Sequence, residues 1–169
     1  GWRDNRLNSI HEGTNGIQSL DLLGRKIWQH QAQGLIMLHE EISRTINNAP
    51  EEWTDWKNQL RSALEKTVEV TDVIARSMQK IGPDKSLANS HAYLNLVGHT
   101  VVAWQWLQQA CVAHSKLSGA ASDQEVHFYQ GKIQAAQYFF NWELPLTERD
   151  YAVLKSMDLT TFEMQPDWF

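Results

Sequence analysis

Near the start of the chain, Ile10-His11-Glu12-Gly13-Thr14-Asn15-Gly16-Ile17-Gln18 sets a carboxylate directly before a glycine-containing helix start. That order suits an enzyme that must hold a base beside a bound cofactor. Gly13 lacks a Cβ, so its backbone can approach a ligand closely and can take a positive φ. Thr14 or Asn15 can cap the helix that follows, and Gln18 after Asn15 makes an imperfect capping box. The free N–H groups of such a start favour negative or polar groups, phosphates among them. Glu12 therefore stands where a catalytic carboxylate could stand, with His11 beside it. On spacing alone the same string also reads as a plain capped helix start.

The elements that must position these residues are helices. Apolar residues recur at helical spacing through nearly the whole chain and alternating strand patterns are scarce, so the fold class is all-α. A first helix is expected over about residues 15–29, with Ile17, Leu20, Leu23 and Ile27 on one face. The polar run Gln29-His30-Gln31-Ala32-Gln33-Gly34 reads as a short break. A second helix, about 35–47, carries Leu35, Leu38, Ile42 and Ile46 and stops at Asn47-Asn48-Ala49-Pro50. Pro50 followed by Glu51 and Glu52 opens a third. Its stripe is the cleanest in the chain: Trp53, Trp56, Leu60, Leu64, Val68, Thr71, Ile74, Met78 and Ile81, ended by Gly82-Pro83.

A fourth helix starts at Asp84, with Leu87, Tyr93, Leu94, Val97, Val101, Trp104, Leu107 and Cys111 as interior positions and Gly98 as a point of close helix contact. The loop 118–123 leads to a fifth, with Val126, Tyr129, Ile133, Ala136 and Phe140 inward; Pro145 interrupts it or starts a sixth, short helix over 146–157. The short loops predict an antiparallel bundle of four to six helices. The last residues read as an extended tail whose Phe162, Met164, Trp168 and Phe169 lie across a helical surface.

Composition excludes several function classes. The 169 residues suffice for one domain with a sizeable core. A formal charge of −5 and a pI near 5.8 disfavour nucleic acid or an anionic membrane as partner, and no basic run exceeds two residues. Cys111 is the single cysteine, which rules out an internal disulfide and fits a reducing compartment. No apolar run approaches the roughly 20 residues of a membrane span, and no signal peptide is visible, so the expected location is cytoplasmic.

No metal site is expected either. None of the seven histidines forms a His-Glu-x-x-His pattern, His39-Glu40-Glu41 lacks a second His one turn away, and His91 and His99 lack paired carboxylates. Cys111 sits in an apolar helix with no activating base and reads as a buried, inert thiol. Trp53, Trp56 and Trp104 fall in register with helix interiors and read as core; Trp106 and Trp142 read as contacts to another domain or subunit.

The run Trp2-Arg3-Asp4-Asn5-Arg6-Leu7, then Ile10 to Gln18, then Leu20-Asp21-Leu22-Leu23-Gly24-Arg25-Lys26 resembles the C-terminal motif of acyl-CoA dehydrogenases. The resemblance implies an FAD-dependent oxidoreductase of fatty acid metabolism that forms a 2,3-enoyl-CoA. It maps the base that removes the α-proton onto Glu12, close substrate contact onto the Gly13 backbone, and flavin contacts onto Thr14, Asn15, Gly16 and, more weakly, Gln18. Hydride from the β-carbon goes to FAD. An α-proton beside a thioester is only weakly acidic, so its base must be aimed at it and have its pKa raised by an apolar, water-poor site.

Most members carry Tyr before the glutamate, where this chain has His11. The imidazole can hydrogen-bond the substrate or tune Glu12, or simply fill a tyrosine's space. Some branches place the base elsewhere; glutamate at position 12 argues against that here. Arg25, with Lys26, suits the negative groups of CoA and equally suits the late part of a helix, whose dipole it complements.

His91-Ala92-Tyr93-Leu94, Trp104-Gln105-Trp106-Leu107 and Tyr138-Phe139-Phe140 followed by Leu144-Pro145 resemble, more loosely, the extra helical domain of one branch, the 3-methylmercaptopropionyl-CoA dehydrogenase-like proteins. The resemblances divide the chain into residues 1–31, the end of the catalytic domain with its last helix; 32–158, a helical-bundle extension; and 159–169, a tail packed on the bundle. They imply an acyl-CoA substrate, upstream dehydrogenase domains, an electron-transfer flavoprotein as acceptor and a homo-oligomer when full length. The chain by itself is expected to be a fragment without activity. The alternative is a non-catalytic helical structural or interaction module of a flavoprotein relative.

Overall fold

The computed structural model describes the backbone of residues 13–169 and the side chains of residues 29–169. Its helices are α1 (Gly13–Asn48), α2 (Thr54–Ser86), α3 (Ser90–Leu117), α4 (Asp123–Tyr138), α5 (Thr147–Lys155) and the single turn α6 (Thr160–Glu163). A π-type turn, Phe139–Glu143, and a 3-10 turn, Leu144–Leu146, carry α4 into α5; further 3-10 turns cover Glu51–Trp53 and Pro166–Trp168. Among the described residues there is no strand, and the class is all-α as expected.

The break expected at residues 29–34 is absent, because α1 runs through it unbroken for 36 residues. A glycine inside a helix costs only about 1 kcal/mol relative to alanine. Burial of Leu35, Ile42 and Ile46 just beyond it outweighs that. Pro50 ends the run, and a lysine not singled out by sequence finishes the corner. Lys57 is 6% exposed. Its ammonium donates to the Ala49 carbonyl and to Glu51 Oε1, both at 3.1 Å, placing a cation at the C-terminal end of α1.

Along α2 the expected stripe is buried at Trp56, Leu60, Leu64, Thr71, Ile74 and Met78, with Thr67 and Val70 added. Val68 and Ile81 are exposed instead, since Thr67 and Val70 take the inward positions. The helix kinks at Gly82, whose φ of 82° and ψ of 170° lie in a region essentially reserved for glycine. A Cβ there would meet nothing within 4 Å, so the constraint is the backbone alone. Gly82→Ala is therefore expected to cost about 1–3 kcal/mol in denaturant unfolding. Unchanged stability would mean that the kink relaxes freely.

The fourth expected helix begins at Ser90 rather than Asp84, because the chain turns at residues 87–89 first. Its inner face is mostly small: Tyr93, Leu96, Thr100, Ala103, Leu107, Ala110 and Ala113. Leu94 is exposed, correcting the interior assigned to it, while Val97, Trp104 and Cys111 are half-buried against the core clusters and Val101 is half-buried. Gly98 is also exposed with open space around it, so no helix approaches closely there.

Side-chain pairs fix the directions. Thr67 meets Thr100 at 3.4 Å and Thr71 meets the Tyr93 hydroxyl at 2.8 Å, so α2 and α3 run antiparallel. Lys132 to Gln109 and the Phe139–His99 ring contact make α3 and α4 antiparallel as well. Trp104 Nε1 donates to Thr45 on α1, across the bundle. The core lies in two clusters, one around Trp53, Trp56, Leu60, Leu107 and Phe140, the other around Val70, Ile74, Met78, Leu96 and Leu154.

On the surface α5 is tied to α2. The Tyr151 hydroxyl donates to Glu69 at 2.6 Å, and Lys155 pairs with the same carboxylate. The Tyr151 hydrogen bond first, then the nearby lysines, hold the Glu69 carboxyl below its ordinary value. A lowered folded-state pKa gives stability that is present above the ordinary carboxylate pKa and is lost as pH falls through the depressed value. Thermal unfolding of the parent chain and Glu69→Gln should therefore converge at acid pH and separate above it.

The tail differs from expectation. Asp158 accepts from the Thr160 N–H at 3.0 Å and starts α6, so residues 159–169 form local turns rather than an extended strap. Phe162, Met164, Trp168 and Phe169 stay exposed.

Candidate functional site

Glu12 and His11 lie outside the described residues. Gly13 opens α1, so Gly13, Thr14, Asn15, Gly16 and Gln18 occupy its first two turns and Arg25 follows further along. Thr14 and Asn15 are thus inside the helix rather than at its cap. At 100° per residue, positions 14, 18 and 25 fall within about 40° of one another around the axis, whereas 13, 15 and 16 lie on other sides. The main-chain N–H groups of this first turn lie at a helix N-terminus, a setting that suits a phosphate-bearing cofactor such as FAD.

The same helix ends in the bundle, and its middle borders two open grooves that sequence reasoning missed. One, about 460 Å³, lies against α2 and is lined by Ala32, Leu35, Ile36, His39, Val68 and Thr71 among others. The other, about 440 Å³, lies against α3, between His30, Gln31, Gly34 and Leu38 on one side and Tyr93 and Val97 on the other. Their residues come from helices distant in sequence, so no local pattern announces them. Burial pushes the Tyr93 hydroxyl up, which keeps it a neutral donor toward Thr71. Neither groove pairs a nucleophile with a base.

Other groups weighed from sequence find structural places. Among the described residues no cluster of three His, Cys, Asp or Glu could hold a metal. His91 is exposed, and His99 Nδ1 lies 2.9 Å from the Asn95 carbonyl oxygen. Cys111 is half-buried, and that burial pushes its thiol up, partly offset by Lys57, so it is a poor nucleophile at neutral pH. Trp53 and Trp56 stack at 5.0 Å, and Trp56 stacks on Phe140 at 5.5 Å. Trp106 is half-buried under Lys132, and Trp142 is exposed. No helix among the described residues is long and apolar enough to cross a membrane.

The site expected from the sequence falls at the start of α1, and comparison with known proteins bears on it. A family described as acetyl-CoA dehydrogenase C-terminal like matches residues 38–165. The chain is 26% identical, over 96% of its length, to the broad-specificity linear acyl-CoA dehydrogenase FadE5 of Mycobacterium tuberculosis. It is 27% identical, over 82% of its length, to 3-methylmercaptopropionyl-CoA dehydrogenase of Ruegeria pomeroyi. The chain spans 28% and 23% of the lengths of these two relatives.

Proposed function

Because this chain belongs to the acetyl-CoA dehydrogenase C-terminal-like family, we propose that it works as the C-terminal part of an FAD-dependent acyl-CoA dehydrogenase. The observation that carries this reading is the similarity over 96% of the chain to an acyl-CoA dehydrogenase.

In this reading the Glu12 carboxylate takes the α-proton of the acyl-CoA. The electron pair of that C–H bond becomes the new C2–C3 double bond as the β-hydride departs, and 2,3-enoyl-CoA results. When bound, FAD supplies the hydride acceptor. Glu12 needs an apolar, enclosed setting to be basic enough for this, and the upstream dehydrogenase domains provide it. The Gly13 main chain and His11 contact the substrate, and Arg25 faces the negative groups of CoA. Thr14, Asn15, Gly16 and Gln18 contact the cofactor. An electron-transfer flavoprotein reoxidises it, and the full-length protein assembles as a homo-oligomer.

The flavin spectrum of the full-length protein tests the reading. Bleaching on addition of acyl-CoAs is expected; a flavin that stays oxidised with every chain length would favour a non-catalytic helical module. The 169-residue chain alone is expected to fold as a helical bundle, purify colourless and show neither tight FAD binding nor turnover. Its two apolar clusters do not depend on residues outside the bundle. Micromolar FAD binding, read by flavin fluorescence, would show that a complete site lies within these residues.

A further inference from the structure

Two surfaces of this chain complement each other. The first is a groove of about 320 Å³ between α3 and α4, floored by Val112, Ala113, Phe128 and Tyr129 and rimmed by Lys116 and Lys132. Phe128 is 61% exposed. Lys132 lies over the Phe128 and Trp106 rings and donates to Gln109. The Lys116 side chain has no hydrogen bond or ion pair among the described residues. Glu125, one turn before Phe128, already accepts from the Ala121 N–H at 2.9 Å. The groove is thus apolar with two ammonium groups at its rim, on a chain whose net charge is −5.

The second surface is the segment 158–169. Its Phe162, Met164, Trp168 and Phe169 are exposed, the last two by 67% and 97%, and they interleave with Asp158, Glu163 and Asp167. Four large apolar side chains in one solvent-facing segment mark a contact surface. The segment is anchored far from the groove of its own chain. The Asp158 carbonyl accepts from Asn89 just before α3 begins, while Val112 and Ala113 on the groove floor stand about 35 Å away along the axis. Eleven residues span that distance only when drawn out almost fully, about 36–40 Å, which would dissolve both local turns.

We propose that residues 158–169 of one copy dock in the α3–α4 groove of a second copy, with Trp168 and Phe169 on the apolar floor and Glu163 and Asp167 facing Lys116 and Lys132. The contact is heterologous, joining different patches of the two copies, so it closes into a ring or extends into a chain. This contact gives the self-association of the dehydrogenase reading a defined surface and uses none of the residues assigned to its chemistry.

Sedimentation velocity of the 169-residue chain over a range of concentrations reads the association. Trp168→Ala is expected to weaken it roughly thirtyfold, as an aromatic anchor does. Lys116→Glu and Asp167→Lys should each weaken it roughly fivefold, and the two together should recover the loss. All three positions are exposed, so circular dichroism should stay that of the parent. A monomer at every concentration overturns the proposal, as does a monomer whose tail cross-links to its own groove. Association that survives all three single changes overturns it too and points to the exposed Ile36 and Met37 on α1.

Discussion

On the proposed dehydrogenase reading, Glu12→Gln in the full-length protein is expected to leave FAD bound and to lower the rate of flavin reduction by roughly 10²–10⁴-fold. The amide has nearly the size of the carboxylate and can still hydrogen-bond, so the cofactor contacts assigned to Thr14, Asn15 and Gly16 are untouched. What is lost, on that reading, is the proton acceptor. Because the α-proton must leave before or with the β-hydride, no other group of the motif can replace it: His11 is the neighbour, and a glutamine does nothing to aim an imidazole at the α-carbon. Single-turnover mixing with an acyl-CoA, followed at the flavin absorbance, separates this from a binding defect. Near-normal reduction would move the base elsewhere in the chain.

Phe140→Ala should be the most damaging single change to the bundle, costing about 3–5 kcal/mol. Phe140 is fully buried, and its ring lies parallel to that of Trp56 at 5.5 Å. It sits in the π-type turn by which α4 passes into α5, so the cavity left behind is framed by backbone that is already irregular and by the Trp56 indole, itself held by stacking on Trp53. Neither can close over the space easily. Leu60→Ala, also fully buried, should cost about 2–5 kcal/mol, and half-buried Val101→Ala clearly less. Urea unfolding followed by circular dichroism orders the three. Losses within measurement error at Phe140 and Leu60 would sink the assigned core.

How far the fold could be read depended on what each helix buries. The stripe of α2 was readable because its inner face is large and apolar, so Trp56, Leu60, Leu64, Ile74 and Met78 announce themselves by spacing. On α3 the same rule misled. Its inner face carries Thr100, Ala103, Ala110 and Ala113, which let neighbouring helices come close, while Leu94, Val102 and Val112 point to solvent. A search for large apolar residues therefore finds Tyr93 and Leu107 but also takes in exposed Leu94 and passes over the small inward residues. Gly34 and Gly98 were misread for a related reason: in a packed helix glycine is a modest local cost, and neither marks a break or a close approach. Lys57 escaped notice because a buried ammonium has no sequence signature; its partners are the carbonyl of Ala49 and a carboxylate in a turn.

At the site the balance is different. The motif around Glu12 is an ordered string of residue types that sequence alone can propose, whereas the grooves beside α1 join residues more than thirty positions apart and exist only after folding. The roles of His11, Gly13 and Arg25 still rest on resemblance.

The unbroken course of α1 makes it a lever arm. From Leu35, the first of its side chains seen buried, to Gly13 the helix rises about 33 Å. A tilt of about 2° where it seats in the bundle sweeps Gly13 through about 1 Å. Displacements of that size are enough to change a reaction rate about a hundredfold when a reacting group must be aimed. On the proposed chemistry, mutations at Ile42, Ile46 or Trp56 that loosen the seat without unfolding it should appear as slow flavin reduction, which makes the stiffness of the bundle a catalytic quantity.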